Sequence, residues 1–178
     1  MMLDPVAAEL ARRDDMWTHL LAQGGPQSVP AALLRDLQIY GGAQGVWVDK
    51  ARTAACTHDG NGATVGLLHT GRHYPDDMSE DGAIYHYPST VRPATRDTNE
   101  IEATKNAGRL RLPAYVITQR DHSTRDVHRG WMLDWDDESR VFLIAFSEEP
   151  PAPSPSTAQT PASAQDTIPF EPFDTAPR

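Results

Sequence analysis

The stretch "HTGRHYPDDMSEDGAIYHYPST" (residues 69–90) decides how this chain is interpreted. Three tyrosines, Tyr74, Tyr85 and Tyr87, stand on either side of a loop that holds four carboxylates between positions 76 and 81. A packed core does not need aromatic rings, acids and turn-forming residues so close together. A metal site, a catalytic carboxylate pair and a pocket for a flat polar ligand would each use such a mixture in a different way. The stretch therefore directs attention to binding or catalysis.

Length and composition set the class of protein. The 178 residues, 39% of them hydrophobic, suffice for one domain with an appendage, and the 15 prolines indicate that part of the chain is not packed. No apolar run reaches the roughly 18 residues of a membrane span, and the acidic start has no signal-peptide core. Cys56 is the only cysteine, which excludes a disulfide framework and a CxxC zinc site. We expect a cytoplasmic bacterial protein.

The net charge of −9 does not exclude nucleic acid, because the charges are unevenly distributed. Residues 92–129 carry eight Arg and Lys against five acids, whereas acids crowd into 76–81 and 134–138. This distribution permits a basic face opposite acidic loops. It is equally typical of an ordinary solvated surface.

Periodicity and turn residues predict the elements. Asp4 is expected to cap a first helix that ends at Gly24, and Ser28 to cap a second. A third helix is predicted over 98–110, capped by Thr98 or Asn99. Alternating β-branched and aromatic runs predict six strands, the last two forming a hairpin across "DES": 45–49, 64–69, 82–87, 113–118, 126–136 and 140–146.

These elements predict an α+β domain whose strands curl into a small barrel. Residues 1–40 form a helical segment that packs on the barrel, and residues 41–147 form the barrel domain. Residues 148–178 are rich in proline, alanine, serine and threonine, which predicts a disordered tail or linker.

Catalytic and metal-binding interpretations find little support in the motifs. His69 and His73 are four residues apart but lie in a strand and loop, and no HExxH motif or second Cys/His pair completes a site. A Mg²⁺-dependent nuclease would use Asp76, Asp77 and Glu102, but Glu102 and Lys105 lie at the helical spacing i, i+3 rather than at the strand alternation that places such residues on one face. We therefore expect no catalytic centre, metal or cofactor.

A pocket for a nucleobase uses the opening stretch more completely. Aromatic faces stack on a base with about 1–3 kcal/mol each, and a carboxylate accepts from the exocyclic amine of cytosine. Small residues let the backbone approach the C5 edge of the base. The residues alone leave a second interpretation open, in which the tyrosines are half-buried strand aromatics and the acids belong to solvated turns.

A family resemblance bears on this choice. "RHYPDDMSEDGAIYHYPST" (72–90) resembles the central motif of SRA (YDG) domains, the PUA-like readers of modified cytosine in DNA. "YPDD" (74–77) is similar to the family's Tyr-x-Asp-Asp turn, and "RDTNEIEATKNAGRL" (96–110) to its following helix. "GAQGVWV" (42–48) and "VHRGWMLDWDDESRVFLIAF" (127–146) resemble the SRA-like half of bacterial modification-dependent restriction proteins.

The resemblance implies a role for each matching residue. Tyr74 and Tyr87 would sandwich a flipped base, Asp77 would accept from its amine, and the backbone of Ser89 and Thr90 would line the C5-methyl edge. The residues that would contact the DNA backbone or fill the gap left by the base flank this pocket: Arg72, His73, Arg92, Arg96 and Lys105.

The resemblance thus implies a reader of 5-modified cytosine, with 5-methylcytosine expected first, that binds double-stranded DNA for a restriction system. An HNH nuclease would lie outside this chain or on a partner. The chain has Pro88-Ser89-Thr90 where eukaryotic members have Thr-Gly-Ser, which leaves the modification open. The alternatives are a Mg²⁺-dependent nuclease and a PUA- or ASCH-like RNA-binding protein.

Overall fold

The chain folds into an α+β structure built around one sheet. The computed structural model describes residues 2–41, 45–69, 77–90 and 93–152. The helices are α1 (Pro5–Ala22), α2 (Ala31–Asp36), α3 (Lys50–Thr53) and α4 (Ala94–Arg109). The strands are β1 (Val29–Pro30), β2 (Val46–Val48), β3 (Thr64–His69), β4 (Gly82–His86), β5 (Ala114–Gln119), β6 (Thr124–Asp136) and β7 (Val141–Phe146). The predicted α+β class is confirmed.

The seven strands form a single sheet in the order β2-β3-β5-β6-β7-β4, with the short β1 paired to β6 outside this path. The pairs are antiparallel except β3 and β5, which run parallel. The helix α4 lies between β4 and β5 in sequence and packs on β3 and β6. The predicted hairpin is confirmed, because residues 137–140 form the turn between β6 and β7.

The centre of the sheet is buried on both faces. Tyr115 and Ile117 of β5 pack with α1 and α2, whereas Val116 between them packs with β4, β6 and β7. Consecutive burial of this kind is expected for a strand with a parallel neighbour and layers on both sides. The second layer holds Tyr85 and Tyr87, next to the region that carries the predicted site.

The edge strand β4 contacts the end of β3. The Tyr85 hydroxyl donates to the Leu68 carbonyl at 3.4 Å, and the His69 ring lies 6.3 Å from the Tyr85 ring. Within the described residues no strand ladder joins β4 to β2 or β3, and the barrel is therefore not closed. Tyr85 and Tyr87 are both buried in the same cluster, so the two tyrosines lie on one side of the sheet.

A buried arginine fixes α1 to the sheet. Arg13 is 0% exposed, and its guanidinium donates to the Glu9 carboxylate and to three backbone carbonyls, those of Ala63, Thr64 and Pro113. A buried charge is tolerated only when it is paired and fully hydrogen-bonded, as here. The sequence signal for α1 is also confirmed, because Asp4 accepts from the Val6 N–H and Pro5 starts the helix.

Three helix starts differ from the sequence prediction. Ser28 does not cap α2. It has a φ of 55°, and the next two residues pair with β6 before the helix begins at Ala31. The helix α4 begins at Ala94 with Pro93 at its cap, four residues before Thr98. The one-turn helix α3 was not predicted, because four residues are too few for periodicity to reveal.

Two further predictions concern the membrane and the tail. Within the described residues, no helix is both long and apolar enough to cross a membrane. The predicted disordered tail, 148–178, lies outside the described residues from position 153 onward. Before that point, the Glu148 carboxylate accepts from the Trp17 indole at 2.8 Å, and the Pro151 carbonyl accepts from Arg111.

Candidate functional site

The predicted site residues fall into two groups. Tyr74, Arg72 and His73 lie in residues 70–76, and Arg92 lies in residues 91–92, so these four are outside the described residues. The described members surround the end of β4 and the start of α4: Asp77, Tyr87, Ser89, Thr90, Arg96 and Lys105.

Asp77 returns to the end of β4 that leads into Tyr87. Its Oδ2 atom lies 2.8 Å from Nε2 of His86, the residue directly before Tyr87. An ionised carboxylate has about four acceptor positions, so this contact leaves capacity for a further donor. Two residues that are ten positions apart in the predicted pocket, Asp77 and Tyr87, are thereby held at one strand end.

Asp77 and the Tyr87 ring nevertheless lie on opposite sides of this strand end. Along β4, Ala83, Tyr85 and then Tyr87 are buried, whereas Ile84 and His86 are exposed. Asp77 therefore contacts the outer side of the strand end, and Tyr87 points to the inner side. A ligand that engages both has to lie across the end of the strand, beside residues 88–90.

Tyr87 is a buried wall of this region. It is 6% exposed, and its ring centroid lies 4.4 Å from that of Phe142 in a tilted arrangement. Its hydroxyl donates to Oδ1 of Asp137 at 2.8 Å. Burial, together with this donation to a carboxylate, raises the pKa of Tyr87, and the hydroxyl stays protonated as a donor at neutral pH.

Lys105 shares the same acceptor. Its Nζ atom lies 2.8 Å from Asp137 Oδ1 and 3.5 Å from Glu102 Oε1, and the residue is only 8% exposed. Donation from Lys105, and then from Tyr87, lowers the pKa of the Asp137 carboxyl. Lys105 of α4 and Tyr87 after β4 therefore both donate to one oxygen atom of Asp137, which lies in the β6–β7 turn.

Cations also lie over the aromatic rings of this cluster. Arg140 lies 5.4 Å and Lys105 5.9 Å from the centroid of the Tyr87 ring. Arg109 lies 5.4 Å from the centroid of the Trp135 ring, and Lys105 5.9 Å. Cation–π contacts of this kind hold exposed guanidinium groups beside the aromatic rings. A base that stacks on Tyr87 would replace at least one of them.

The corner after Tyr87, residues 88–90, is held by α4. The backbone N–H of Thr90 donates to Asp97 Oδ2 at 2.8 Å, and the Thr90 hydroxyl donates to Asp97 Oδ1 at 2.9 Å. Ser89 and Thr90 are exposed, whereas Asp97 is 9% exposed in the first turn of α4. The acid thus fixes the backbone of the small-residue corner while leaving its outer edge accessible.

Over its described residues, 93–129, the basic segment does not form one continuous face of unpaired cations. Arg129 pairs with Asp14 of α1, Arg120 with Asp126, and Arg109 with Glu102. Arg96 is exposed, 3.8 Å from Glu100. The cations over the Tyr87 and Trp135 rings are Lys105 and Arg109 of α4 and Arg140 of the β6–β7 turn. Arg140 lies outside the basic segment 92–129.

The outer side of the β4–β7 pair carries a shallow apolar depression next to Asp77. Ile84 and Leu143, which face each other across the two strands, are 38% and 48% exposed. Leu133 and Met78 also line this depression. It adjoins the Asp77–His86 contact but lies on the side of the sheet opposite the Tyr87 ring.

Residues that would serve the nuclease alternative are engaged in other contacts. Glu102 pairs with Lys105 and Arg109, and Asp77 with His86, whereas Asp76 lies outside the described residues. Among the residues that the structure describes, no group of three or more His, Cys, Asp or Glu side chains is arranged to hold a metal ion.

Sequence reasoning did not identify four members of this cluster: His86, Trp135, Asp137 and Arg140. His86 was detectable as the outward neighbour of Tyr87 on an alternating strand. Asp137 belongs to the acidic run 134–138, but its distance of 50 residues from Tyr87 gave no local signal of contact. Only the pairing of β4 with β7 brings this turn to the site.

Comparisons with known proteins add a distant likeness. No protein-family model matches the chain, and no curated protein matches it. Among solved structures it is similar to one described as "Modification dependent TagI restriction endonuclease", with 14% sequence identity and a TM-score of 0.41. The match covers 69% of this chain and 49% of that one, so the chain aligns with about half of that protein's length. At this similarity the comparison assigns neither family nor activity.

Proposed function

We propose that this protein binds double-stranded DNA containing a 5-modified cytosine, by flipping the modified base out of the helix. The observation that carries the proposal is the return of Asp77 to the strand end that bears Tyr87, with Asp77 Oδ2 at 2.8 Å from His86 Nε2. An acceptor for the cytosine amine and an aromatic wall thereby lie on the two sides of one strand end, and a base placed across this end, beside residues 88–90, would contact both.

The proposed pocket assigns one task to each residue. Tyr74 and Tyr87 stack on the two faces of the base, and Asp77 accepts from its exocyclic amine, which thymine lacks. The backbone of Ser89 and Thr90 lies along the C5 edge, where Asp97 fixes it through two hydrogen bonds from Thr90. A base has to leave the duplex to meet all these groups, at a cost of a few kcal/mol.

Contacts to the DNA backbone complete the proposal. Arg96 and Lys105 of α4 lie near the pocket edge, and Arg72, His73 and Arg92 flank it in sequence. Cations of this kind contact phosphates without reading sequence, and an inserted arginine or histidine fills the gap that a flipped base leaves. The affinity would therefore depend strongly on salt.

The proposed fold and context follow the SRA resemblance. The hydrogen bond from the Tyr85 hydroxyl to the Leu68 carbonyl supports an SRA-like, partly closed barrel over 41–147, with residues 1–40 packed against it and 148–178 as a linker or tail. The protein would act in the bacterial cytoplasm as the recognition module of a modification-dependent restriction system. A nuclease domain or partner would supply cleavage.

Binding titrations with matched duplexes test the function. Fluorescence anisotropy compares duplexes that are identical except for one cytosine, which is unmodified, 5-methylated or 5-hydroxymethylated. The proposal predicts tighter binding to at least one modified duplex, and equal affinities for all three would overturn it. A single-stranded RNA of the same sequence tests RNA binding, and incubation of the duplexes with the protein and Mg²⁺ tests cleavage.

The variant Tyr74→Ala tests the pocket itself. Loss of one stacking wall, worth about 1–3 kcal/mol, should weaken binding to the modified duplex roughly 5- to 150-fold. Tyr74→Phe keeps the ring and is the matched control, which should bind nearly as well as the parent chain. Undiminished binding by Tyr74→Ala would remove this tyrosine from the pocket.

A further inference from the structure

Two donors converge on one carboxylate oxygen beside the proposed base pocket. The Lys105 ammonium and the Tyr87 hydroxyl each lie 2.8 Å from Oδ1 of Asp137. We propose that these donors form a phosphate-binding subsite, which Asp137 occupies in the free protein and a phosphodiester of the DNA occupies in the complex. This inference rests on the proposed DNA-binding function and adds a regulated contact to it.

The two donors belong to the rigid part of the fold. Lys105 is 8% exposed on α4, and Tyr87 is 6% exposed directly after β4, where it packs on Phe142. A buried ammonium is strongly destabilising without an anionic partner. Glu102, 3.5 Å from the Lys105 ammonium, remains such a partner when Asp137 leaves, and the two donors are already oriented.

Asp137 is the replaceable member of the cluster. Its side chain is 68% exposed on the turn between β6 and β7, and exposed ion pairs contribute little to stability. The turn itself is held by the preceding residue. The Asp136 carboxylate accepts from the backbone N–H groups of Glu138 and Ser139 and from the Ser139 hydroxyl. Asp137 can leave the donors without loss of the turn.

The surroundings fit a phosphodiester better than a second protein carboxylate. Arg140 lies over the Tyr87 ring and Arg109 over the Trp135 ring, each 5.4 Å from the ring centroid, and both arginines are exposed. A phosphodiester has two non-bridging oxygens. One would take the position of Asp137 Oδ1, and the other would face a guanidinium group, which binds phosphate well.

Occupation of the subsite by Asp137 has a measurable consequence for DNA binding. Asp137 competes with every phosphate, so it lowers the affinity for modified and unmodified DNA by the same factor. Removing its carboxylate should raise both affinities about two- to fivefold, the range that an exposed ion pair sets. Removing Lys105 should lower both and should reduce the slope of log affinity against log salt by about one.

The experiment titrates the full chain against modified and unmodified duplexes at several salt concentrations. Asp137→Ala is compared with Glu138→Ala, which removes the same charge from the same turn. Lys105→Met is compared with Lys50→Met, a change at the other lysine of the chain, exposed on α3. The inference predicts that Asp137→Ala binds both duplexes more tightly than Glu138→Ala does, and that only Lys105→Met lowers the salt slope.

Two results would overturn the subsite: equal effects of Asp137→Ala and Glu138→Ala, or an unchanged slope for Lys105→Met. Because Lys105 is buried, circular dichroism checks that its variant is folded. Tyr87→Phe gives a second test of the donors, since it keeps the ring, loses the hydroxyl and should weaken binding to both duplexes.

The ratio of the two affinities separates this inference from the proposed function. If the parent chain does not discriminate but the Asp137 and Lys105 variants behave as predicted, base reading fails and the phosphate subsite stands. If the parent chain discriminates and Asp137→Ala changes only the ratio, Asp137 positions Tyr87 and the phosphate subsite is overturned.

Discussion

Asp77 and His86 are joined across the strand end that leads to Tyr87, with Oδ2 and Nε2 2.8 Å apart. Residue 77 follows a seven-residue segment that the structure does not describe, and His86 is the last residue of β4. The contact fixes the carboxylate that we propose as the acceptor for the cytosine amine. Because His86 holds the Asp77 carboxylate in place, variants of the two residues distinguish the effect of the carboxylate from the effect of its position.

The variant Asp77→Ala is expected to lose the amine acceptor. Loss of a contact worth about 1–3 kcal/mol should weaken binding to the modified duplex, whose base is flipped, roughly 5- to 150-fold, and should thereby reduce its preference over the unmodified duplex, whose base stays stacked. Anisotropy titrations with the two duplexes measure this preference. His86→Ala breaks the same contact but keeps the carboxylate, and it should retain most of the preference. Equal losses in both variants would show that the contact, rather than the acceptor, matters.

The corner at Thr90 offers a second test. Asp97→Ala removes the acceptor of both hydrogen bonds from Thr90, which frees the backbone that we place along the C5 edge. Charge-assisted hydrogen bonds contribute about 1.5–3 kcal/mol, so the preference for modified DNA should fall at least tenfold while binding to unmodified DNA stays similar. Thr98→Ala on the same helix is the control. A preserved preference in Asp97→Ala would argue against this corner.

Much of the fold was predictable from local patterns. Alternating β-branched and aromatic residues identified the strands that became β3, β4 and β7 to within one residue at each end. The start of α4 was missed because "PATRD" (93–97) contains no apolar periodicity, although proline at its cap permits a helix to begin there. The prediction that Ser28 caps α2 was wrong, because strand pairing with β6 outweighed the capping preference of serine.

The candidate site was less predictable because it depends on long-range contacts. The motif 74–90 predicted Tyr87 and Asp77 as pocket members, and in the structure Asp77 contacts His86, the residue directly before Tyr87. That Lys105 and Tyr87 share Asp137 follows from the packing of α4 against β6 and the pairing of β4 with β7. No local pattern encodes such a contact across 50 residues of sequence.

The buried Arg13 predicts a strong effect on stability. Arg13→Met leaves the carboxylate of Glu9 in a buried position and removes the donor from three carbonyl groups. Breaking a buried ion pair on one side costs about 3–5 kcal/mol in the free energy of unfolding. Arg12→Met, which removes the more exposed partner of the same Glu9, should cost about 1 kcal/mol or less. Urea unfolding of both variants measures the difference, and similar losses would contradict the account.

Acidification is expected to destabilise the protein through two partly buried histidines, His128 and His69. Burial lowers the pKa of His128, which stacks on Phe146 at 4.6 Å, and burial also lowers the pKa of His69. Because the folded state favours neutral imidazole, the unfolded chain binds more protons below its pKa of about 6.5. The free energy of unfolding should therefore decrease as the pH falls from about 7 to about 5.

Urea unfolding at several pH values measures this slope. His128→Gln should have a shallower slope than the parent chain, because one titrating group is gone. His122→Gln changes an exposed histidine and should keep the parent slope. Identical slopes for the parent and His128→Gln would remove His128 from this explanation.

Base flipping is the central claim, and the fluorescence of 2-aminopurine tests it most directly. The probe is placed beside the target cytosine, where it brightens when its neighbour leaves the stack. At saturating protein, we predict a severalfold increase for the modified duplex and little change for the unmodified duplex at the same occupancy. Bound modified DNA whose probe stays as dim as in the free duplex would contradict the account.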